Sequence, residues 1–210
     1  MKILSLSDVC VPFIYSPSVK NRFKDIDLIL GCGDVPYYYL EYVFTALRAP
    51  LIFVRGNHDK EVEFSTAGKR TSPQGGFDLH RRVVNHDEFS FAGVEGSIRY
   101  KPGRFQYSQE EMWLNVFHII PSLVFNRAKS GRFLDIFITH APPKGIHDCN
   151  DHPHKGITAF RWFDLVFKPA FHFHGHTHLY RPDDPVETIL GNTRVVNTFR
   201  FQETKINLHD

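Results

Sequence analysis

The chain has 210 residues, enough for one folded unit with a substantial core, and we expect a single domain over residues 1–210. With 42% hydrophobic residues, 23% charged residues and a net charge of +2, it is neither a disordered chain nor one with a committed, lysine- and arginine-rich nucleic-acid surface. Three cysteines without a CxxC pair argue against a disulfide framework, and no run fits a signal peptide or membrane span, so we expect a cytoplasmic protein.

Short apolar runs that end in a polar residue or a glycine turn recur through the first third of the chain. They predict buried strands at residues 2–8, 27–34 and 51–59. Between the second and third runs, residues 36–50 begin and end with proline and carry apolar side chains at helical spacing, at Leu40, Val43, Phe44 and Leu47. This segment is therefore predicted to be an amphipathic helix.

The rest of the chain continues this alternation. Residues 60–80 are polar and predict a surface excursion, and residues 82–96 predict an antiparallel hairpin. Ser108 and Glu111 match a capping box ahead of a long helix, which Pro121 should kink or divide. Strands are then predicted at 135–143, 170–178 and, as the last one, 194–199, with a short helix near 158–168. Strands alternating with helices indicate an α/β fold of layered sheets with outer helices.

Polar side chains follow five of the predicted strands, at the ends that converge on the ligand crevice in α/β folds. Each alone could be a turn or cap residue, but together they favour a site for divalent ions such as Mn, Fe or Zn. There are more of them than one tetrahedral ion needs, which suggests two ions that share a carboxylate. These residues are Asp8, Asp34, Asn57, His58, Asp59, His140, His176 and His178.

The segments SDVC, GCGDVP, RGNHD, THAPP and GHTH follow one another over residues 8–178. In this order they resemble the motifs of the calcineurin-like metallophosphoesterase superfamily. The resemblance implies a four-layer αββα sandwich, two mixed β-sheets flanked by helices, with a dinuclear phosphoester hydrolase site. Asp34 would bridge the two ions, Asp8 and His178 would bind one of them, and Asn57, His140 and His176 would bind the other.

The same resemblance implies a mechanism and a substrate class. A hydroxide formed from water at the ions would attack the phosphorus of a phosphodiester or phosphomonoester. His58 would protonate the leaving alkoxide as general acid, with Asp59 orienting or charging its imidazole. The expected partner is thus a small-molecule phosphoester, with no nucleic acid and no membrane, whereas the oligomeric state stays open.

The first motif departs from the family pattern, which has a histidine where this chain has Cys10. The thiolate could bind an ion and shift the preference toward Zn or Fe, or Cys10 could be a buried, inert thiol. If that ion is lost, an alternative function is a degenerate metallophosphoesterase fold that binds proteins. A nuclease is a further alternative, which the near-neutral charge disfavours.

Other polar residues near these motifs have two interpretations each. His172 and His174 are expected to be strand imidazoles satisfied by their neighbours, although His174 could also support the site. The histidine- and aspartate-rich segment 145–156 is either a second metal site or, more simply, a solvated loop beside the active site. Arg99 and Arg104 could pair with a phosphate or be ordinary surface arginines.

Overall fold

The computed structural model describes residues 1–65 and 68–207, apart from the side chain of Ser65. In chain order its elements are β1 (Lys2–Ser7), α1 (Val19–Arg22), β2 (Leu28–Cys32), α2 (Tyr37–Leu47), β3 (Leu51–Val54), β4 (Glu63–Ser65), β5 (Gly68–Arg70), β6 (Gly76–Asp78), β7 (Arg82–His86), β8 (Phe89–Val94), β9 (Ser97–Ile98), β10 (Gln106–Tyr107), α3 (Gln109–Ser130), β11 (Ile136–Thr139), α4 (Thr158–Phe167), β12 (Phe171–His174), β13 (Glu187–Leu190), β14 (Thr193–Asn197) and β15 (Arg200–Lys205).

Two large mixed sheets organise the chain. The first has the order β15-β1-β2-β3-β6, with β15 antiparallel to β1 and the other four strands parallel. The second has the order β13-β14-β12-β11-β8-β7, with four parallel strands between antiparallel edges. Because parallel strands end at the same edge of a sheet, the residues that follow them are brought together there.

The two sheets pack face to face, and helices cover their outer faces. Ile3 and Leu30 of the first sheet lie in one apolar cluster with Phe91, Ile138 and Phe173 of the second. A second cluster joins the first sheet to α1 and α2, and a third joins the second sheet to α3 and α4. Strands covered on both faces carry almost continuous apolar runs, as those of this chain do. The predicted four-layer αββα sandwich is confirmed.

Helix α3 confirms one prediction and excludes one of the two outcomes expected at Pro121. The Ser108 side chain accepts from the backbone of Glu111 at 3.2 Å while the Glu111 carboxylate accepts from Ser108 N, so the capping box is present. The helix continues through Pro121, however, and is not divided. Val116, Ile119 and Leu123 are buried on either side of the proline, so packing holds both halves on the same sheet.

Edge strands account for the main differences from the predicted elements. Residues 76–78, assigned to a surface excursion, form β6 and pair with β3, whereas Thr66 and Ala67 of that excursion lie outside the described residues. The strand near 194–199 is followed by β15 and preceded by β13, which were not predicted. Their sequences, RFQETK and ETIL, are partly exposed and lack a continuous apolar run. The hairpin of β7 and β8 and helices α2 and α4 are as predicted.

None of the described helices combines the length and the hydropathy that a membrane span requires.

Candidate active site

The candidate site lies where the carboxyl ends of both sheets meet. Asp8 and Asp34 follow β1 and β2 of the first sheet, and His140 and His176 come just after β11 and β12 of the second. The backbone N–H of His176 donates to both oxygens of the Asp8 carboxylate at 3.1 Å, which ties one sheet to the other. Asp8, Asp34 and His176 all have positive φ angles, of 63°, 57° and 69°. Such backbone strain in non-glycine residues is concentrated at functional sites.

Three side chains from both sheets offer ligand atoms to one point. Asp34, His140 and His176 each place one such atom within 4.8 Å of the others. His140 Nε2 lies 3.2 Å from Asp34 Oδ2 and 3.0 Å from Asn57 Oδ1. These four residues thus combine carboxylate, amide and imidazole donors, a set that suits Mn, Fe or Zn.

Two further predicted ligands, Asp8 and His178, lie beside Asp34 and line a cavity with it. His178 Nε2 is 3.9 Å from Asp8 Oδ1, and the His178 ring stacks on Phe199 with the centroids 4.6 Å apart. Asp8 and Asp34 also line one cavity of about 220 Å³ together with His176 and His178. The predicted ligands of the second ion are therefore next to those of the first.

Hydrogen bonds to neighbouring oxygen atoms orient the three imidazoles. His140 Nδ1 donates to the carbonyl of Cys32 at 2.8 Å, and His176 Nε2 donates to the carbonyl of Pro153 at 2.9 Å. A carbonyl only accepts, so in the neutral imidazole, the form that binds a metal, the lone pair would lie on His140 Nε2 and on His176 Nδ1. His178 Nδ1 bonds to Tyr180 Oη at 2.8 Å, which leaves its Nε2 toward Asp8. Metal-bound histidines in proteins are fixed in this way.

The charges of the site also fit cations. Burial raises the pKa of the Asp34 carboxyl, but the nearby His140 imidazole lowers this pKa by more, so that it is about 2. Burial alone would lower the pKa of His140, but the carboxylates of Asp34 and Asp8 raise it to about 9. Burial raises the pKa of Asp8. A buried pair of carboxylates needs positive charge, which divalent ions bound to these donors would provide.

Two glycines allow the ligand loops to approach each other. A Cβ atom on Gly56 would lie 2.1 Å from Asp34 Oδ1, and one on Gly33 would lie 2.5 Å from His140 Nδ1. Gly33 also has a φ angle of +88°, which favours glycine. The glycines of the GCGD and RGNHD motifs are thus explained by backbone packing around the ligands.

The predicted general acid, His58, is exposed and lines the same cavity as the ligands. Its backbone N–H donates to Asp34 Oδ1 at 2.7 Å, so its position is fixed relative to the predicted bridging carboxylate. Its Nε2 lies 3.5 Å from Tyr100 Oη.

Asp59 makes different contacts from those expected. Its Oδ2 accepts from the backbone N–H groups of Gly56, at 2.8 Å, and Asp34, at 3.2 Å. Burial, together with the charge of Asp34, raises the pKa of Asp59 to about 7. In the described part of the chain this carboxylate braces the ligand loops and makes no hydrogen bond to the His58 ring, and its catalytic role stays a prediction.

Cys10 lies apart from the converging ligands. Its side chain packs against the apolar cluster under α2, and its thiol contacts Tyr38. Burial raises the pKa of this thiol, which disfavours the thiolate that binds metals. These contacts favour the interpretation of Cys10 as a structural thiol, while its predicted role as a ligand would require the side chain to turn.

His172 and His174 are satisfied by neighbours, as expected. The fully buried His172 bonds through Nδ1 to Asp164 and through Nε2 to Thr139, each at 2.8 Å. His174 Nε2 bonds to His147 Nδ1 at 2.8 Å. Of the four histidines in HFHGHTH, the second pair belongs to the site and the first pair to the packing beneath it.

Segment 145–156 forms a loop beside the site, and its polar residues bind mainly within the protein. Asp148 accepts from the backbone of Gly145 and Gly156, and His147 contacts His174 and Thr188. Among the described residues, the group with metal-ligand geometry consists of Asp34, His140 and His176 and includes no residue of this loop.

Two residues near the cavity were missed or left unassigned. His154 lines the ligand cavity, with its ring 5.0 Å from that of His176 and its Nδ1 bonded to Asp151. The Tyr100 hydroxyl, which lies near His58, also accepts from Asn57 Nδ2 at 3.4 Å. The density of histidines in the loop was the signal for His154, whereas nothing in the sequence around Tyr100 distinguishes it. Arg99 and Arg104 pair with Glu111 and Glu61 as surface arginines.

Comparisons with known proteins identify the family of the chain and support its fold. A family model described as calcineurin-like phosphoesterase matches residues 1–180. No curated protein is significantly similar to the chain in sequence. One solved crystal structure is 14% identical, with a TM-score of 0.61 over 96% of this chain and 94% of that one. TT1561 of Thermus thermophilus is 15% identical, with a TM-score of 0.59 over 94% of this chain and 88% of that one.

A single mutant of Vps29 from Entamoeba histolytica is 13% identical over 94% of this chain and 73% of that one, with a TM-score of 0.43. A likeness of this degree supports no argument about function, and the two higher-scoring structures support the fold alone.

Proposed function

The chain belongs to the calcineurin-like phosphoesterase family, and we propose that it hydrolyses a phosphodiester or phosphomonoester with two divalent ions, Mn, Fe or Zn. The observation that carries this proposal is the convergence of Asp34, His140 and His176, from two different sheets, within 4.8 Å. When bound, the ions would neutralise phosphate charge and lower the pKa of a water molecule.

The residues of the site divide into two sets in this proposal. Asp34, which contacts His140 and lines a cavity with Asp8 and His178, would bridge the ions, and Asp8 and His178 would bind one of them. His140 and Asn57, whose donor atoms are 3.0 Å apart, would hold the other ion together with His176. The carbonyls of Cys32 and Pro153 would keep the two imidazoles oriented.

His58 would act as the general acid. It is exposed to the cavity, and its backbone is anchored on Asp34, so its imidazole can reach the leaving oxygen of a phosphate held at the site. Loss of a positioned acid costs roughly 10²–10⁴-fold in rate. The loss should be smaller for esters with good leaving groups, because these need less protonation.

A panel of phosphomonoesters and phosphodiesters with leaving groups of graded pKa tests the proposal. The wild-type protein, His58→Ala and the control His118→Ala are compared after loading with Mn, where His118 is an exposed residue of α3. We expect His58→Ala to lose rate mainly on poor leaving groups and His118→Ala to match the wild type. Equally poor hydrolysis by wild type and His58→Ala would contradict the proposal.

A second candidate is a protein-binding member of the family with weak or no catalysis. The observation in its favour is Cys10, which replaces a histidine of the family motif and contacts Tyr38 in place of the ligands. Elemental analysis of the Mn-, Fe- or Zn-loaded protein separates the two candidates. Two ions per chain support the hydrolase, and one or none favours the binding module. Fewer ions in Cys10→Ala than in the wild type would make Cys10 a ligand.

We also propose a small-molecule substrate and a cytoplasmic location. The net charge of +2 supports the first, and the three unpaired cysteines, Cys10, Cys32 and Cys149, support the second. A gel shift with DNA or RNA across a range of salt concentrations tests the substrate class, since a salt-sensitive shift would favour a nuclease.

A further inference from the structure

A second cavity, of about 700 Å³, adjoins the ligand cavity on the side of His58. Asp34 and His58 line both cavities, so the two are continuous at the predicted general acid. Beyond these two residues the wall carries the apolar side chains of Pro36, Tyr38, Val62 and Phe64, together with the charged residues Asp59, Lys60 and Glu63. We call this second cavity the aromatic groove. Its size and its mixture of apolar walls with a few polar groups are typical of small-molecule sites.

The two aromatic walls of the groove are held by packing on α2. Tyr38 lies in the first turn of α2, and its ring meets that of Tyr15 edge-on with the centroids 5.7 Å apart. Phe64 lies on the β4–β5 hairpin. Tyr37 N donates to Glu63 Oε1 at 2.8 Å, which ties this hairpin to the same end of α2.

A further ion pair, without hydrogen-bond geometry, lies between the other strand of the hairpin and α2. Arg70 Nε of β5 lies 3.2 Å from Glu41 Oε2 of α2, and both side chains are mostly buried. The β4–β5 pair, which carries Phe64, is therefore connected to α2, which carries Tyr38, at two separate points.

Both aromatic rings are nevertheless open to solvent. Phe64 is 78% exposed and Tyr38 is 44% exposed, although they stand beside a buried polar site. A flat ring placed against them would remove apolar surface from water and gain the additional attraction of aromatic pairs. A saturated group of the same size would gain only the first of these.

We propose that the aromatic groove binds an aromatic ring in the leaving group of the phosphoester. The inference rests on the proposed function for the position of the phosphate, which the ligands would hold next to His58. His58 would meet the leaving oxygen at the junction of the two cavities, so the substituent on that oxygen extends into the groove. The substrate class is then an aryl or heteroaryl phosphoester, in which the ring lies directly on the leaving group or a few bonds beyond it.

Phosphonates that cannot be hydrolysed test the groove without any turnover. Calorimetry compares the affinities of phenyl-, cyclohexyl- and methylphosphonate for the Mn-loaded protein. We expect phenylphosphonate to bind roughly tenfold more tightly than methylphosphonate, and more tightly than cyclohexylphosphonate. Tyr38→Ala and Phe64→Ala should each remove most of this preference. The control Phe125→Ala, an exposed phenylalanine on α3 that is 72% exposed, should leave it unchanged.

Equal affinity for phenyl- and methylphosphonate would contradict the proposal that the aromatic groove binds the substituent. Equal affinity for phenyl- and cyclohexylphosphonate would contradict its preference for aromatic rings. A preference for phenyl that survives both alanine substitutions would also overturn it. The hydrolase proposal is judged separately by turnover of the ester panel. If the protein hydrolyses none of the esters but still prefers phenylphosphonate, the proposal for the aromatic groove stands and the proposal of a hydrolase is contradicted.

Discussion

Gly56 stands at a point where the backbone of the RGNHD loop touches the carboxylate of Asp34. The backbone N–H of Gly56 donates to Asp59, and an added Cβ would come within 2.1 Å of Asp34 Oδ1. Real Cβ atoms do not approach so closely, so any side chain at this position must displace Asp34.

We therefore expect Gly56→Ala to weaken binding of Mn by at least roughly tenfold, because ligand geometry must be held within about half an ångström. Calorimetric metal titration measures this. Gly103→Ala is the matched control, since its new methyl group would meet only the flexible end of the Gln106 side chain. Unchanged affinity in Gly56→Ala would show that the loop can move without disturbing Asp34.

His80, remote from the ligands, predicts a pH dependence of stability. Burial, followed by the charge of Arg81, lowers the pKa of His80 from 6.5 to about 4, and Glu95 N donates to its Nδ1 at 3.1 Å. Between these two pKa values the unfolded chain binds a proton that the folded protein does not. Stability should thus fall as the pH drops through this window, by about 2 kcal/mol from pH 7 to pH 5.

Denaturant unfolding at pH 7 and pH 5 measures this loss, with His80→Asn as the comparison, because asparagine keeps an acceptor but does not titrate. We expect the loss to be smaller in the variant. An identical loss in both proteins would assign the pH dependence to other groups. The charged groups that shift the pKa of His80 are Arg81, Asp78, Arg55 and His118. The raised pKa of Glu95 has the opposite effect on stability, because the folded protein then binds a proton more readily than the unfolded chain.

At the scale of elements, Pro121 in the middle of α3 limits the stability of that helix. Proline lacks the N–H that would donate one turn back, and its ring crowds the carbonyl there. Pro121 is exposed, so alanine at this position restores the hydrogen bond without a cavity. The gain of about 3 kcal/mol in the helix is reduced by the greater freedom that alanine has in the unfolded chain.

We expect Pro121→Ala to raise the free energy of unfolding by about 2 kcal/mol. Chemical denaturation measures the change, with Ser122→Ala on the same exposed face as control. A destabilised variant would mean that the packing of α3 on the sheet requires a bend at Pro121.

Burial explains which elements could be predicted. Strands β1, β2, β3, β11 and β12 are covered on both faces, so their sequences are largely apolar and the polar residues that follow them stand out. Edge strands such as β15 have one free side, and RFQETK carries no signal that distinguishes it from a loop.

The site follows the same rule. Asp34, His140 and His176 follow buried strands, so they could be identified as candidate ligands. The resemblance of their segments to family motifs then predicted that they share one site, and their ligand atoms do converge. The contacts of Cys10 with Tyr38 and of Asp59 with two backbone amides depend on how loops fold against each other. Such tertiary contacts have no periodic signature in the sequence.

For the whole molecule, the site joins the two sheets at one end of the sandwich. Asp34 belongs to the first sheet, and His140 and His176 to the second, so unfolding separates the ligands. An ion that binds only the folded protein stabilises it by about 2.7 kcal/mol at a concentration 100 times its Kd.

Loading with Mn should therefore raise the Tm of the wild-type protein by several degrees, and chelation should reverse this. In Asp34→Asn the increase should be largely lost, because the predicted bridging carboxylate is gone. Thermal unfolding over a series of Mn concentrations provides the measurement. Equal increases in both proteins would place the stabilising ion elsewhere in the molecule.

Two of the imidazoles at the site are oriented by the main chain, through the carbonyls of Cys32 and Pro153. Every residue type has a carbonyl, so exchange of either side chain leaves the acceptor in place. At the buried Cys32, side chains that fit the same space are thus compatible with an unchanged site, whereas the neighbouring Gly33 tolerates almost nothing. In saturation mutagenesis scored by metal retention, substitutions of the histidines and glycines would abolish metal binding. Substitutions of the residues whose carbonyls orient the imidazoles would be tolerated wherever the new side chain fits.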